Sequence, residues 1–178
     1  MDSTTTPSSS VRTRTFSWTD PTIALAAMRT ENGLSYLKQA LAGVHPAPPI
    51  AHLMNLRLLE AERGRVVFGT TPEEYHYNPL GIVHGGLAAT LLDSAMGCCV
   101  HTLLEAGDRY TTLELKVNYL KPLTLETGPV RGIATLVNIS RTVALVEARL
   151  VDAADALYAH ATSICLIKRA EAKAPQQS

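Results

Sequence analysis

Asn78-Pro79-Leu80-Gly81-Ile82-Val83-His84-Gly85-Gly86 runs straight into an apolar stretch, residues 87–104, that carries a single acid, Asp93. The glycine pair marks a helix N-terminus, where backbone N–H groups lack intrahelical partners and can polarise an oxygen. The spacing predicts a helix over 86–105, closed by Gly107. Such a helix is apolar all round and must be enclosed. Asp93 is the exception. A carboxylate among apolar groups calls for a partner, and one held there can act as a base or a nucleophile.

Working outward, the period changes to that of strands. Residues 51–60 and 65–71 read as a hairpin turning at Glu62, Arg63 and Gly64. After the helix come strands at 110–120, 129–139, 142–152 and 157–168, with 152–155 (Asp-Ala-Ala-Asp) as the last turn. In the first of these, Leu113, Leu115, Val117 and Tyr119 alternate with Thr112, Glu114, Lys116 and Asn118, giving one buried face. Upstream, Asp20 caps a helix opened by Pro21, and Asn32–Gly33 interrupts it. Leu34, Leu37 and Leu41 then mark a second helix ending at Gly43. Pro46, Pro48 and Pro49 make a stiff linker.

The expected division is therefore a disordered tail at 1–19, a helical extension with its linker at 20–49, the main domain at 50–169 and a C-terminal tail at 170–178. The fold class is α+β, with about six antiparallel strands curled around one long helix. A curled sheet covers only part of that helix. Ala88, Ala89, Ala95 and Gly97 are left to face a second copy of the chain.

Composition narrows the function. Sixteen basic and sixteen acidic residues cancel, so no bulk charge points to nucleic acid or an acidic membrane. No apolar run is long and clean enough to span a bilayer. The N-terminal Ser/Thr-rich stretch lacks the apolar core of a secretory signal; a transit peptide is the alternative to a plain tail. Three cysteines without disulfide or zinc spacing suggest a reducing, cytoplasmic setting. Cys98 and Cys99 read as small buried hydrophobes, and His52, His76, His101 and His160 as structural or surface residues, with no metal site.

Asn78, the His84-Gly85-Gly86 triplet, Asp93 nine positions past the histidine, and the run from Thr112 to Pro122 together resemble the hotdog-fold thioesterases. The closest group is the one related to the phenylacetate-pathway and 4-hydroxybenzoyl-CoA enzymes. The likeness covers roughly residues 50–168. It implies an acyl-CoA thioesterase acting on an aryl or medium-chain acyl group, with coenzyme A entering as part of the substrate and no other cofactor. It implies a homodimer or homotetramer. The resemblance assigns the oxyanion donor to the Gly85 N–H, a catalytic carboxylate to Asp93, an amide near the thioester to Asn78, and loop-holding or carbonyl binding to His84. Gly86 fits the tight start of the helix. Asn118, Tyr119 and Lys121, and the turn Ser140–Arg141–Thr142, match positions that contact the cofactor. Gly97 departs from relatives that place a hydroxyl there.

Geometry adds a constraint. At about 1.5 Å per residue, Gly85 and Asp93 lie roughly 10–12 Å apart along one helix, too far to act on one carbonyl. If both are catalytic, Gly85 of one subunit meets Asp93 of another. A non-catalytic acyl-CoA-binding module and a hotdog enoyl-CoA hydratase are the competing readings. A desolvated acid gives pure binding no advantage.

Overall fold

The computed structural model describes residues 10–170. The outer parts of both expected tails, 1–9 and 171–178, lie outside the described residues.

Helix α1 (Pro21–Thr30) starts as expected: Asp20 Oδ1 accepts the Thr22 N–H at 2.8 Å. Helix α2 (Gly33–Leu41) is capped by Asn32, whose side chain accepts the Ser35 N–H at 2.9 Å. The expected strand at 51–60 begins late. Pro49 instead opens a short helix α3 (Pro49–Met54), which Asn55 stops by turning left-handed (φ 53°). Proline at a first helical position and an αL asparagine after the last turn are ordinary start and stop signals, and here they override the apolar pattern. Residues 10–20 form no helix or strand but are anchored. Arg14 donates to the carbonyls of His52 and Leu53, each at 2.6 Å, and its guanidinium lies 4.0 Å from the centre of the Tyr75 ring.

The sheet contains β1 (Arg57–Glu62), β2 (Arg65–Thr70), β3 (Arg109–Tyr119), β4 (Val130–Ile139), β5 (Val143–Val151) and β6 (Leu157–Lys168). All neighbours are antiparallel, in the order β1-β2-β4-β5-β6-β3. Gly64 (φ 74°) makes the first hairpin turn; at the last, Asp152 Oδ1 accepts the N–H groups of Ala154 and Ala156, both at 2.9 Å.

Helix α4 (Gly85–His101) fills the curl, with Leu91, Leu92, Met96 and Val100 fully buried. It is a turn shorter than its apolar run. Thr102 ends it, donating to the Cys99 carbonyl at 2.6 Å and accepting the Gly64 N–H at 2.8 Å, which ties the helix end to the β1–β2 hairpin. The small residues left for a second copy are mostly covered within one chain: Ala88, Ala95 and Gly97 are buried. Tyr110 supplies the cover at Gly97, where a Cβ would sit 2.8 Å from the phenolic oxygen. The stripe of α4 that remains partly open runs through Gly86, Ala89, Thr90, Asp93 and Ser94.

Strand β3 departs from simple alternation. Its register on β6 shifts between Thr112 and Glu114, so Leu113 is the extra residue of a bulge and lies 61% exposed. Tyr110 and Thr112 turn inward before the bulge, Leu115 and Val117 after it. Two-residue periodicity alone puts Leu113 in the core; the bulge exchanges it for Thr112.

Of the two outer strands, β1 is packed by α2, whereas the far edge of the eleven-residue β3 pairs with nothing among the described residues. A long open edge is a template for another strand. Among the described residues, no helix is long and apolar enough to cross a membrane.

Candidate active site

The loop before α4 is fixed by backbone bonds. Val83 N–H donates to Leu123 O at 2.9 Å and His84 N–H to His76 O at 2.8 Å. Asn78 folds on itself, its Oδ1 accepting the Leu80 N–H at 2.9 Å. His84 is the N-cap residue: its Nδ1 accepts the Gly86 N–H at 2.8 Å, which leaves the ring proton on Nε2.

The glycines are clearances. A Cβ at Gly86 would lie 2.8 Å from His84 Nδ1, and one at Gly85 would lie 3.2 Å from the Tyr119 ring. Tyr119 donates to the Gly85 carbonyl at 3.1 Å. The Gly86 amide is thus taken by the cap. The Gly85 N–H, one residue earlier, makes no hydrogen bond among the described residues. Asn78, His84, Gly85, Tyr119 and Lys121 line one cavity of about 370 Å³, with the Lys121 ammonium 5.6 Å from the centre of the Tyr158 ring.

Asp93 does not line that cavity. Eight residues beyond Gly85, it lies about 12 Å further along the helix. Its Oδ1 accepts from Thr112 Oγ1 at 3.0 Å, it is half-buried, and among the described residues it forms no ion pair. The acid is therefore held in place but not neutralised by a cation.

The two groups of cofactor-contact candidates are also apart within one chain. Tyr119, Ala159 and Leu150 form one row across β3, β6 and β5, and Thr111, Leu166 and Val143 another. The rows are seven residues apart on β6, roughly 23 Å at about 3.3 Å per residue. Asn118, Tyr119 and Lys121 belong to the first end, with Gly85. Ser140, Arg141 and Thr142 belong to the second, on the side of Asp93. The Ser140 hydroxyl is spent on its own turn, accepting from the Val143 N–H at 3.0 Å. Arg141 forms no ion pair among the described residues, and the hairpin end also carries Arg109 and Lys168, opposite one another. Sequence reading did not find Arg109, Lys168 or Tyr110, and took Thr112 only as the start of the strand run and not as a partner of Asp93, because only the β3–β6 register and the bulge bring them to this end.

The cysteines are poor nucleophiles here. Burial pushes the thiols of Cys98 and Cys99 up to about 12, and raises that of Cys165. Burial pushes His101 the other way, to about 4.

A curled antiparallel sheet wrapped on one long helix is the hotdog fold. Residues 80–159, a little under half of the chain, match the family model described as Thioesterase superfamily. It is 32% identical over 73 residues to human acyl-coenzyme A thioesterase 13, covering 41% of this chain; it spans about half the length of that relative, 51%. Among solved structures it is similar to a phenylacetic acid degradation-related protein from Ralstonia eutropha JMP134, at 28% identity and a TM-score of 0.67, covering 74% of this chain and 98% of that one. It is also similar to smu.793 from Streptococcus mutans UA159 bound to acetyl CoA, at 26% identity and a TM-score of 0.58, covering 65% and 90%.

Proposed function

We propose that the protein hydrolyses acyl-CoA thioesters at sites shared by two copies of the chain, paired edge to edge through β3. One observation carries this: Gly85 and Asp93 are each tied to the same open edge strand, Gly85 through Tyr119 and Asp93 through Thr112. Antiparallel pairing about a two-fold axis at Lys116 puts Leu115 opposite the partner's Val117. Beyond the bulge it puts Thr112 opposite the partner's Tyr119. Opposed residues in an antiparallel pair point to the same face, and Thr112 and Tyr119 share the inner face only because Leu113 is skipped. The register brings each Asp93 to the other chain's Gly85. It also carries Lys121 next to the partner's Tyr110, joining cofactor-contact groups that lie far apart in one chain.

In such a site the thioester oxygen accepts from the Gly85 N–H, with His84 Nε2–H a second donor on the same side. Donors already oriented toward the developing negative charge are worth about 3 kcal/mol each. Asp93 of the other chain either takes a proton from water as it attacks the carbonyl carbon or attacks directly, the acyl-enzyme anhydride then being hydrolysed. The carbon–sulfur bond breaks in both routes, and coenzyme A leaves as the thiol once protonated. Lys121 from one chain, with Arg141, Arg109 and Lys168 from the other, surrounds the phosphates with cations. Exposed Leu113, Val143 and Leu166 on the sheet's outer face offer a surface for pairing dimers into a tetramer. Three unpaired cysteines fit a cytoplasmic setting.

The reading is tested by thiol release from a panel of acyl-CoAs. Hydrolysis by the wild type, abolished in Asp93→Asn with coenzyme A binding retained, supports it. Tight binding without turnover makes the protein a binding module instead. The pairing has its own test. Paired antiparallel positions have Cα atoms about 4.5–5.5 Å apart, within disulfide reach. Lys116→Cys should therefore oxidise to a covalent dimer that keeps its activity. Failure to cross-link overturns the register.

A further inference from the structure

The open stripe of α4 continues past Ser94 to Cys98, and there it passes beneath the N-terminal extension. Helices α1 and α2 roof a cavity of about 850 Å³, Ala24, Met28 and Leu37 forming the roof and Cys98, His101 and Tyr110 the floor. That volume is within the roughly 300–1,000 Å³ usual for small-molecule sites. The floor carries no charge at neutral pH. Burial holds the Cys98 thiol and the Tyr110 phenol protonated and the His101 ring neutral. The near end lies within electrostatic reach of the candidate base, since the Asp93 charge adds to the upward shifts of both Cys98 and Tyr110.

We propose that this cavity holds the acyl chain of the substrate, an uncharged alkyl chain running from the thioester at Asp93 under α1 and α2, and that the extension sets the length accepted. The inference rests on the thioesterase reading for the position of the carbonyl. What commits the cavity to this occupant is its continuity with the Asp93 stripe together with its apolar roof and uncharged floor, although Arg14, Asp20 and Arg57 also line it.

The test uses straight-chain acyl-CoAs from acetyl to decanoyl. Wild-type kcat/KM should rise roughly fourfold per added methylene until the cavity is full, as expected for burial of each CH₂. Ala24→Trp, which fills the roof, should lower decanoyl-CoA turnover at least about tenfold and leave acetyl-CoA unchanged. Met28→Trp is a second plug, should the first disturb α1. A wild-type profile flat with chain length, or equal losses at every length in both variants, overturns the proposal. Calorimetry with 1-decanol, which has no charge to oppose Asp93, reads the cavity without hydrolysis. If no acyl-CoA is cleaved, the thioesterase reading fails, while decanol binding lost in both tryptophan variants still supports an alkyl site. No decanol binding by the wild type overturns it.

Discussion

Tyr119 lies against Gly85 with its hydroxyl donating to the glycine carbonyl at 3.1 Å, and a Cβ on residue 85 would come within 3.2 Å of its ring. The glycine therefore serves β3 as well as the proposed oxyanion site. Gly85→Ala keeps the amide N–H but pushes the tyrosine off the helix start, so its effect should come through Tyr119. Turnover should fall about tenfold in Gly85→Ala. The double variant Gly85→Ala/Tyr119→Ala should be no worse than Tyr119→Ala alone, a coupling measured by a double-mutant cycle. Additive losses would show that the alanine acts on something other than the tyrosine.

The proposed site is split between two chains, so it can be rebuilt from two broken ones. Gly85 is the first residue of α4 and follows an extended His84 (ψ 132°), so Gly85→Pro suits the backbone while removing the N–H. Gly85→Pro and Asp93→Asn should each be nearly inactive. Mixed and allowed to exchange subunits, they should recover up to about a quarter of wild-type activity, because about half the dimers are mixed and each has one intact site of two. No recovery, with exchange confirmed by native mass spectrometry, would place both groups in one chain's site or remove one of them from the chemistry.

Thr112 holds Asp93 by a single hydrogen bond at 3.0 Å, and in the proposed mechanism it acts only through that acid. Thr112→Val keeps the shape and leaves the carboxylate free to rotate. A positioning role predicts kcat down about tenfold with KM within about twofold, and recovery in Thr112→Ser. A merely structural role would instead lower the melting temperature and leave kcat unchanged in the folded fraction.

How far the site was legible follows from which contacts are local. His84, Gly85, Gly86 and Asp93 are close in sequence on one helix, and their caps and spacing can be read from the chain. The strand positions were legible for a similar reason, since turns at Gly64 and Asp152 punctuate them. The bulge at Leu113 was not. Its alternating pattern is intact in sequence, and only the pairing of β3 on β6 shows that Thr112 and not Leu113 turns inward. Helix α3 was hidden by the apolar residues it shares with a strand pattern, and Thr102 ended α4 within a run that stays apolar to Leu104. Arg109 and Lys168 lie 59 positions apart in sequence and meet only in the folded sheet.

His101 has a stability consequence that pH should expose. It is 3% exposed, neither ring nitrogen has a hydrogen-bond partner, and its ring packs edge-on to Tyr36 at 5.7 Å. Burial lowers its pKa from 6.5 to about 4 in the folded chain. Below pH 6.5 the unfolded chain takes up the proton and the folded chain resists it. Stability is therefore fully present above pH 6.5 and is lost progressively as pH falls toward 4, by about 2 kcal/mol at pH 5. His101→Phe keeps the ring contacts and removes both stranded nitrogens. It should be more stable than the wild type by about 1–2 kcal/mol at pH 7.5, and the gap should widen by about 2 kcal/mol at pH 5. Urea midpoints for both proteins across that range measure it. A gap that stays constant with pH would mean that the imidazole is already solvated or paired in the folded protein.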